Sequence, residues 1–261
     1  MTPSPTLPQG GGRPLPAQGR GRLLAISGVT KRFGGFTALE SVDLTVAPGE
    51  RLGLIGPNGS GKSTLVNCIA GTLRHEAGTI AFKDRDIGRL PAFKRVHLGV
   101  ARSFQIPRPF ASMSVADNLR IPLLYGAGAP LTLNTQSATA EAMRILEQVG
   151  LAGKAHAMSG GLTQVDMRKL ELARAIAAKP ALLIADESMA GLSASEVDEI
   201  LVLLLGMKEH GVAVIMIEHV MRAVMKFSER IAVLVAGRKI ADGDPKAVVA
   251  DRDVVKAYLG E

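Results

Sequence analysis

Apolar residues in this chain follow two patterns, and the order of those patterns predicts an α/β fold. In the first part, residues 23–29, 41–46 and 78–82 form short apolar or alternating runs, and a Pro48-Gly49 turn leads into a further apolar run at 51–55. Runs of this length bounded by turn residues are typical of β-strands. The first three predict a small antiparallel sheet, and the run at 51–55 predicts a buried strand.

In the second part, strands and helices alternate strictly. Apolar runs at 100–104, 181–185, 212–217 and 231–235 predict buried strands, and helical spacing at 164–178, 195–209 and 220–227 predicts helices between them. Continuous apolar strands separated by helices are typical of a mainly parallel sheet that is covered on both faces. Residues 107–160 break this pattern with a Pro-rich start and two helical stretches, 115–119 and 138–149. We expect an inserted helical subdomain there.

Composition adds a domain boundary. Residues 1–21 are rich in Pro and Gly and lack an apolar segment, so we expect a disordered tail and no signal peptide. Residues 22–261 are expected to form one domain, because 47% of the chain is hydrophobic and can fill a large core. The single cysteine, Cys68, excludes an internal disulfide and favours a reducing compartment and a core position.

The net charge of +7 does not predict nucleic-acid binding. Residues 1–39 carry much of the excess, since they contain Arg and Lys residues but no Asp or Glu. The rest of the chain shows no basic stripe with interleaved aromatic residues, and the whole chain has only seven Phe and two Tyr. We therefore expect no nucleic-acid partner.

The turn after residues 51–55 matches the phosphate-binding pattern G-x-x-x-x-G-K-[ST]. An apolar run precedes it, and Leu65, Cys68 and Ile69 recur at helical spacing behind it, which is the context that the pattern requires. Backbone N–H groups of such a loop surround phosphate oxygens, and the helix N-terminus adds partial positive charge. Lys62 is expected to reach the β and γ phosphates, and Ser63 to offer its hydroxyl to Mg²⁺. The predicted phosphate-binding residues are Gly56, Pro57, Asn58, Gly59, Ser60, Gly61, Lys62, Ser63 and Thr64.

Polar residues follow three further strands of the predicted parallel sheet, at the end where such sheets bind ligands. Asp186 and Glu187 follow the run at 181–185; we expect Asp186 to hold Mg²⁺ and Glu187 to act as general base on an attacking water. His219 follows the run at 212–217 and is expected to hydrogen-bond the γ phosphate. Gln105 ends the run at 100–104 and can contact Mg²⁺ or the water. Phe33 either stacks on the base or packs into the core.

In order and spacing, these features resemble the ATP-binding subunit of an ABC transporter. The resemblance extends over residues 22–261, and the strings at 31–35, 99–105, 170–175, 190–192 and 257–260 resemble the first of the two ATPases of branched-chain amino acid importers. It implies a P-loop NTPase of the ABC type, with Mg²⁺ and ATP as ligands and hydrolysis coupled to transport. It also implies that Phe33 stacks on adenine, that Gln105 couples Mg²⁺ to the permease, and that His219 is the switch histidine.

The same resemblance implies partners and a location. The partners are membrane permease subunits, a second ABC ATPase subunit and, indirectly, a solute-binding protein, and the location is the cytoplasmic face of the inner membrane as a peripheral subunit. We expect the permease to dock between the core and the helical insertion, near Gln105 and residues 107–110. The sequence leaves the solute open among branched-chain amino acids, other amino acids, amides and urea.

The sequence departs from the family at the signature loop, which in these dimers closes over the ATP of the partner. The family's spacing between the signature loop and the arginine of the following helix, here Arg174, aligns the loop with residues 162–166. It excludes Ser159-Gly160-Gly161, although that string looks like part of the signature. A valine then replaces the expected glycine, and an aspartate replaces the expected glutamine. These changes predict a heterodimer, although tolerance of the substitutions in a homodimer stays open. The degenerate loop consists of Leu162, Thr163, Gln164, Val165 and Asp166.

Two other classes of protein are alternatives. A soluble ABC-type ATPase of DNA repair would need a coiled coil or zinc-binding cysteines in the insertion, and a P-loop kinase or GTPase would need an Arg-rich lid or an Asn-Lys-x-Asp element. The sequence contains none of these features. An ATP-driven importer subunit is therefore the expected function.

Overall fold

The computed structural model describes residues 21–103, 107–126 and 135–259, and its strands form two sheets, as the apolar patterns predict. The four-stranded antiparallel sheet has the order β2-β1-β4-β5, and the six-stranded sheet has the order β10-β9-β3-β8-β7-β6, when strands are numbered along the chain. The strands are β1 (Leu24–Phe33), β2 (Phe36–Val46), β3 (Arg51–Ile55), β4 (Ala77–Phe82), β5 (Arg85–Asp86), β6 (Val100–Ser103), β7 (Leu182–Asp186), β8 (Ala213–Ile217), β9 (Arg230–Val235) and β10 (Arg238–Gly243).

The larger sheet is parallel except at one edge, where β10 pairs antiparallel with β9. All five residues of β7 and of β8 are buried, which explains their continuous apolar runs. The register pairs Asp186 with Ile217, so the carboxyl ends of β7 and β8 lie side by side. The polar residues Asp186, Glu187 and His219, predicted to follow these strands, therefore lie at the same edge of the sheet.

Helices cover both faces of the larger sheet and form a separate layer at one side. They are α1 (Lys62–Ala70), α2 (Ala92–Leu98), α3 (Val115–Tyr125), α4 (Thr135–Gln148), α5 (Gln164–Ala177), α6 (Ala194–Gly206), α7 (Met221–Phe227), α8 (Pro245–Val249) and α9 (Arg252–Leu259), with 3₁₀ turns at Ala152–Lys154, Ser159–Gly161 and Met207–His210. None of the helices in the described part of the chain is long and apolar enough to cross a membrane.

The inserted helices α3 and α4 share one apolar cluster with α5. The predicted helix at 115–119 is too short, since α3 continues through Pro122 to Tyr125. Proline inside a helix removes a hydrogen bond, but Leu119 and Leu123 of α3 are both buried in the cluster, and this burial favours continuing the helix. The predicted helix at 195–209 is α-helical only as far as Gly206, and the 3₁₀ segment Met207–His210 follows it.

Several elements have no counterpart in the sequence expectations. β10 is an edge strand with alternating exposure, and α2, α8 and α9 are short helices. The predicted tail at 1–21 falls outside the described residues except for Gly21. The domain limits therefore stay predictions.

A buried arginine ties α1 to α2 within the core. Arg95 of α2 is 1% exposed, and its guanidinium donates hydrogen bonds to the carbonyls of Cys68 (2.5 Å) and Ile69 (2.8 Å) near the end of α1. It also bonds the carbonyls of Leu90 (2.9 Å) and Gly88 (3.1 Å). Cys68 itself is fully buried, as predicted, and burial raises the pKa of its thiol to about 11.

Candidate nucleotide-binding site

The glycine-rich turn between β3 and α1 has a backbone that requires its glycines. Gly56, Gly59 and Gly61 have φ values of 150°, 77° and 104°. A Cβ on Gly56 would lie 2.0 Å from the carbonyl oxygen of Leu234, and one on Gly61 would lie 2.6 Å from that of Ala38. The turn therefore packs against two neighbouring strands so closely that side chains do not fit.

Lys62, the first residue of α1, lies inside this turn. It is 6% exposed, and its ammonium donates to the carbonyl oxygens of Gly56 at 2.8 Å and Pro57 at 3.0 Å. Burial lowers the pKa of Lys62, and the nearby carboxylates of Glu187 and Asp186 oppose that shift. The side chain is thus a partly desolvated cation at the mouth of the loop, where a phosphate would replace its carbonyl partners.

The loop opens into a cavity of about 260 Å³ that brings together residues from five separate segments. Residues that the sequence predicts for the base, the phosphates and hydrolysis line it, but Gly56, Pro57 and Asp186 of the predicted set do not. Two residues from the start of β2 line it as well. The lining residues are Phe33, Phe36, Ala38, Asn58, Gly59, Ser60, Gly61, Lys62, Ser63, Thr64, Glu187 and His219. Phe33 is 49% exposed, so the core-packing alternative for this residue is wrong.

Asp186 ends β7 directly before Glu187 and is held by a residue that the sequence reasoning missed. Its Oδ2 accepts a hydrogen bond from Nη2 of Arg102 at 2.6 Å, and Nη1 of Arg102 donates to Oδ1 of Asn67 on α1 at 2.6 Å. The side chains of Arg102 and Asp186 are 14% and 7% exposed. An arginine within the apolar run at 100–104 was the available signal, because a charge in a buried strand needs a partner.

Glu187 adopts a backbone conformation that is unfavourable for a side chain. Its φ is 45°, and its N–H donates to the carbonyl of Ile217 at 2.9 Å, which fixes this conformation between β7 and β8. Left-handed backbone at a non-glycine residue costs roughly 1–3 kcal/mol and is typical of functional sites. Nε2 of His219 lies 3.2 Å from Oε1 of Glu187, so the predicted base and the predicted switch histidine are in contact.

Glu218 is a second residue that the sequence reasoning passed over. It is 3% exposed, and its Oε1 accepts a hydrogen bond from the N–H of Met189 at 2.9 Å. Burial, with a contribution from the charge of Glu187, raises the pKa of Glu218 to about 7. This buried carboxyl joins the segment after Glu187 to the end of β8.

The donors available for a metal are oxygen atoms, which suits Mg²⁺. The chain offers the Ser63 hydroxyl and the Asp186 carboxylate, and the described residues contain no group of three or more His, Cys, Asp or Glu that could hold a metal ion by themselves. Mg²⁺ commonly takes one or two protein ligands and completes its shell with substrate phosphates and water. The donor set therefore fits a metal that arrives with a nucleotide. Gln105, the third predicted ligand, lies outside the described residues.

The predicted signature loop begins α5 and satisfies its own polar groups. Thr163 is the N-cap: its Oγ1 accepts from the N–H of Asp166 at 3.3 Å and donates to Oδ2 of Asp166 at 2.7 Å. Asp166 also forms an ion pair with Lys154. Burial alone would raise the pKa of Asp166, but the bonds from Lys154 and Thr163 lower it. The negative charge at this loop is therefore partly neutralised within the chain.

The other members of this segment lie on different sides of the helix start. Leu162 packs against the cluster of α3, α4 and α5, and Gln164 donates to the carbonyl of Ala190 at 3.3 Å. Val165 is half-buried. Ser159 of the rejected Ser-Gly-Gly string is fully buried and donates to the carbonyl of Phe110 at 2.9 Å, which supports the register chosen from the sequence.

A phosphate-binding loop that faces an Asp-Glu strand end and a histidine defines the chain as a P-loop nucleoside triphosphatase. The family model described as "ABC transporter" matches residues 39–190, and the model "Branched-chain amino acid ATP-binding cassette transporter" matches residues 238–261. The chain belongs to the ABC transporter family, as an ATP-binding subunit with ATPase activity.

Individual relatives agree with this assignment over nearly the whole chain. The high-affinity branched-chain amino acid transport ATP-binding protein LivG of Escherichia coli K12 and the corresponding BraF of Pseudomonas aeruginosa are each 37% identical, over 92% of this chain and 98% of theirs. The ADP conformation of MJ1267, an ATP-binding cassette of an ABC transporter, superposes with a TM-score of 0.84 at 32% identity, over 92% of this chain and 99% of that one.

Proposed function

We propose that this subunit binds Mg-ATP, closes on it as part of a dimer and hydrolyses it to drive import of branched-chain amino acids. The observation that carries the proposal is the cavity that unites the phosphate loop, Glu187, His219 and Phe33. The solute is proposed from the match at residues 238–261 and from the names of LivG and BraF.

In the proposed reaction each residue acts at a defined atom. The backbone N–H groups of the loop and the ammonium of Lys62 bind the β and γ phosphates, which stabilises charge as it develops there. Bound Mg²⁺, held by Ser63, Asp186 and Gln105, would neutralise phosphate charge. Glu187 accepts a proton as the water oxygen attacks the γ phosphorus, and the bond from that phosphorus to the β–γ bridging oxygen breaks to give ADP and phosphate. His219 orients the γ phosphate and contacts Glu187.

We propose that the permease docks in a groove of about 270 Å³ between α2 and β6 on one side and α3 and α5 on the other. Its apolar lining includes Val96, Pro122 and the strongly exposed Tyr125. Beside it, Arg174 of α5 donates to the carbonyl of Arg108 at 2.8 Å and lies 5.0 Å from the ring centre of Phe110. These contacts support docking at residues 107–110, because they present that segment on a rigid helix.

For the partner ATPase we propose a different chain, so that the dimer is asymmetric. ATP on this chain's own loop meets the complete set of hydrolytic residues, whereas ATP on the partner's loop would meet Val165 where a glycine would let the backbone approach. The Thr163 hydroxyl is also engaged with Asp166. Within the assembly, the subunit is proposed to be peripheral on the cytoplasmic face of the inner membrane and to act indirectly with a solute-binding protein.

The proposal is tested by reconstituting the chain with the permease subunits and binding protein encoded beside it. We expect leucine, isoleucine or valine to stimulate ATP hydrolysis and to accumulate in vesicles, and Glu187→Gln to abolish both. Stimulation by urea or amides instead would reassign the solute while leaving the ATPase assignment intact. ATP hydrolysis that responds to DNA and to no solute would contradict the transport function.

A further inference from the structure

The cavity at the phosphate loop contains a second exposed aromatic ring that no assignment above uses. Phe36, the first residue of β2, is 63% exposed, more than Phe33 on the neighbouring strand. Both rings line the cavity together with the phosphate loop. A large apolar side chain exposed at a cavity indicates a binding site, because a ligand that covers the side chain removes apolar surface from water.

The hairpin between β1 and β2 places the two rings on one face. Phe33 and Phe36 are cross-strand partners separated only by Gly34 and Gly35. Residues directly opposite each other on an antiparallel pair point to the same face, with Cβ atoms about 4.5–5.5 Å apart. Such a pair places the two rings next to each other at the cavity, where a base can lie across both.

The hairpin is also held by the segment between α1 and β4. Glu76, which follows α1, pairs with the ammonium of Lys31 and accepts the backbone N–H of Arg32 at 2.6 Å. The Lys31 ammonium lies 5.0 Å from the centre of the Phe33 ring. Lys31 thus covers one face of Phe33, which leaves the opposite face and the neighbouring Phe36 for a ligand.

We infer that Phe36 and Phe33 together form a two-ring surface on which the nucleobase stacks, and that Phe36 makes the site select purines over pyrimidines. A purine has two fused rings and can cover both phenyl groups, whereas a pyrimidine covers one. Stacking on an aromatic side chain strengthens binding for every base, so the second ring adds affinity in proportion to the overlap. The inference rests on the proposed nucleotide pocket and adds its base selectivity.

The test measures binding of ATP, CTP and inorganic tripolyphosphate to the purified full-length chain by calorimetry. We expect Phe36→Ala to weaken ATP binding on the order of tenfold, to weaken CTP binding much less, and to leave tripolyphosphate binding unchanged because it has no base. Phe36→Leu keeps an apolar side chain but removes the ring, and it should show the same loss of purine preference. Phe93→Ala is the matched control, since Phe93 is 61% exposed on α2 and does not line the cavity.

Three results would overturn the inference. Wild-type ATP affinity in Phe36→Ala, with a loss only in Phe33→Ala, would leave a single stacking ring. An equal loss of ATP and tripolyphosphate binding would show that Phe36 supports the fold of the loop. If the wild-type chain bound neither ATP nor tripolyphosphate, the pocket itself would be misassigned and the stacking surface would fall with it.

Discussion

The nucleotide cavity and the start of α5 differ in how far their polar side chains are paired within the chain. At the cavity, the Lys62 ammonium donates to two carbonyl oxygens and to the Ser60 hydroxyl, all in its own loop. Glu187 is held there in an unfavourable backbone conformation and contacts His219. At the start of α5, Thr163 and Asp166 satisfy each other and Lys154 completes the cluster. The first region is arranged to receive a ligand, whereas the second is already complete within the chain. In the proposed asymmetric dimer, we call the nucleotide cavity the receptive half-site and the start of α5 the closed half-site.

Replacing Lys62 with alanine should have the largest effect, because it removes the only ammonium among the described residues that line the cavity. We expect loss of detectable ATP binding by calorimetry, with the melting temperature nearly unchanged in the absence of ligand. Lys154→Ala is the control from the other half-site and should bind ATP like the wild type. Retained ATP binding by Lys62→Ala would remove the distinction between the two regions.

Glu187→Gln should separate binding from hydrolysis at the receptive half-site. The amide preserves size but cannot take a proton, so hydrolysis should fall about 10²–10⁴-fold while ATP affinity is kept. A closed dimer with the proposed partner ATPase should accumulate. Single-turnover hydrolysis and size-exclusion chromatography measure the two effects. Normal turnover in the presence of the permease would show that another group is the base.

Restoring the signature loop with the double change Val165→Gly and Asp166→Gln tests the closed half-site. Less crowding and less negative charge near the partner's ATP should raise the ATPase activity of the isolated chain at high concentration about tenfold. Because Asp166 is already paired with Lys154, we expect Val165→Gly alone to give most of the gain. If the unmodified chain forms ATP-dependent dimers and turns over equally fast, the proposed asymmetry is wrong.

The buried carboxyls of the two regions should respond to pH in opposite directions. The pKa of Glu218 is raised to about 7, so its contribution to stability is full below pH 4.5 and is lost as pH rises through 7. The pKa of Asp166 is lowered, so its contribution is present above pH 3.8 and is lost in acid. We expect Glu218→Gln to match the wild type near pH 4.5 and to be more stable at pH 8, by on the order of 3 kcal/mol at most. Urea unfolding at the two pH values measures this, and equal stability at pH 8 would contradict it.

Deleting residues 1–20 should have the smallest effect, because the segment is rich in Pro and Gly and has few apolar residues. The truncated chain should keep its ATP affinity and hydrolysis rate, and its melting temperature should stay within a degree or two. A fall of several degrees in a thermal scan would show that the segment packs against the domain.

The sequence predicts local features of this molecule better than tertiary ones. The glycine-rich turn and the Thr163 cap are encoded by neighbouring residues, and both have the expected geometry. The mainly parallel sheet and its polar strand ends follow from the alternation of strands and helices, whereas the order of the strands was not predicted. Arg102 and Glu218 were missed because their roles depend on partners far along the chain, Asp186 for the former and Met189 for the latter. The length of α3 was missed because burial outweighs the local effect of Pro122.

Arg95 holds the C-terminal end of α1, the helix that follows the phosphate loop. The N-terminus of α1 begins at Lys62 in the cavity, and the carbonyls near its C-terminus are bonded to the buried guanidinium of Arg95. Because Arg95 belongs to α2, these bonds join the two helices. Its further bonds to the carbonyls of Leu90 and Gly88 attach the segment before α2 to the same guanidinium. The next residue, Val96, lines the groove proposed for the permease. If α1 moved at its N-terminal end, α2 and with it one side of that groove would therefore move too.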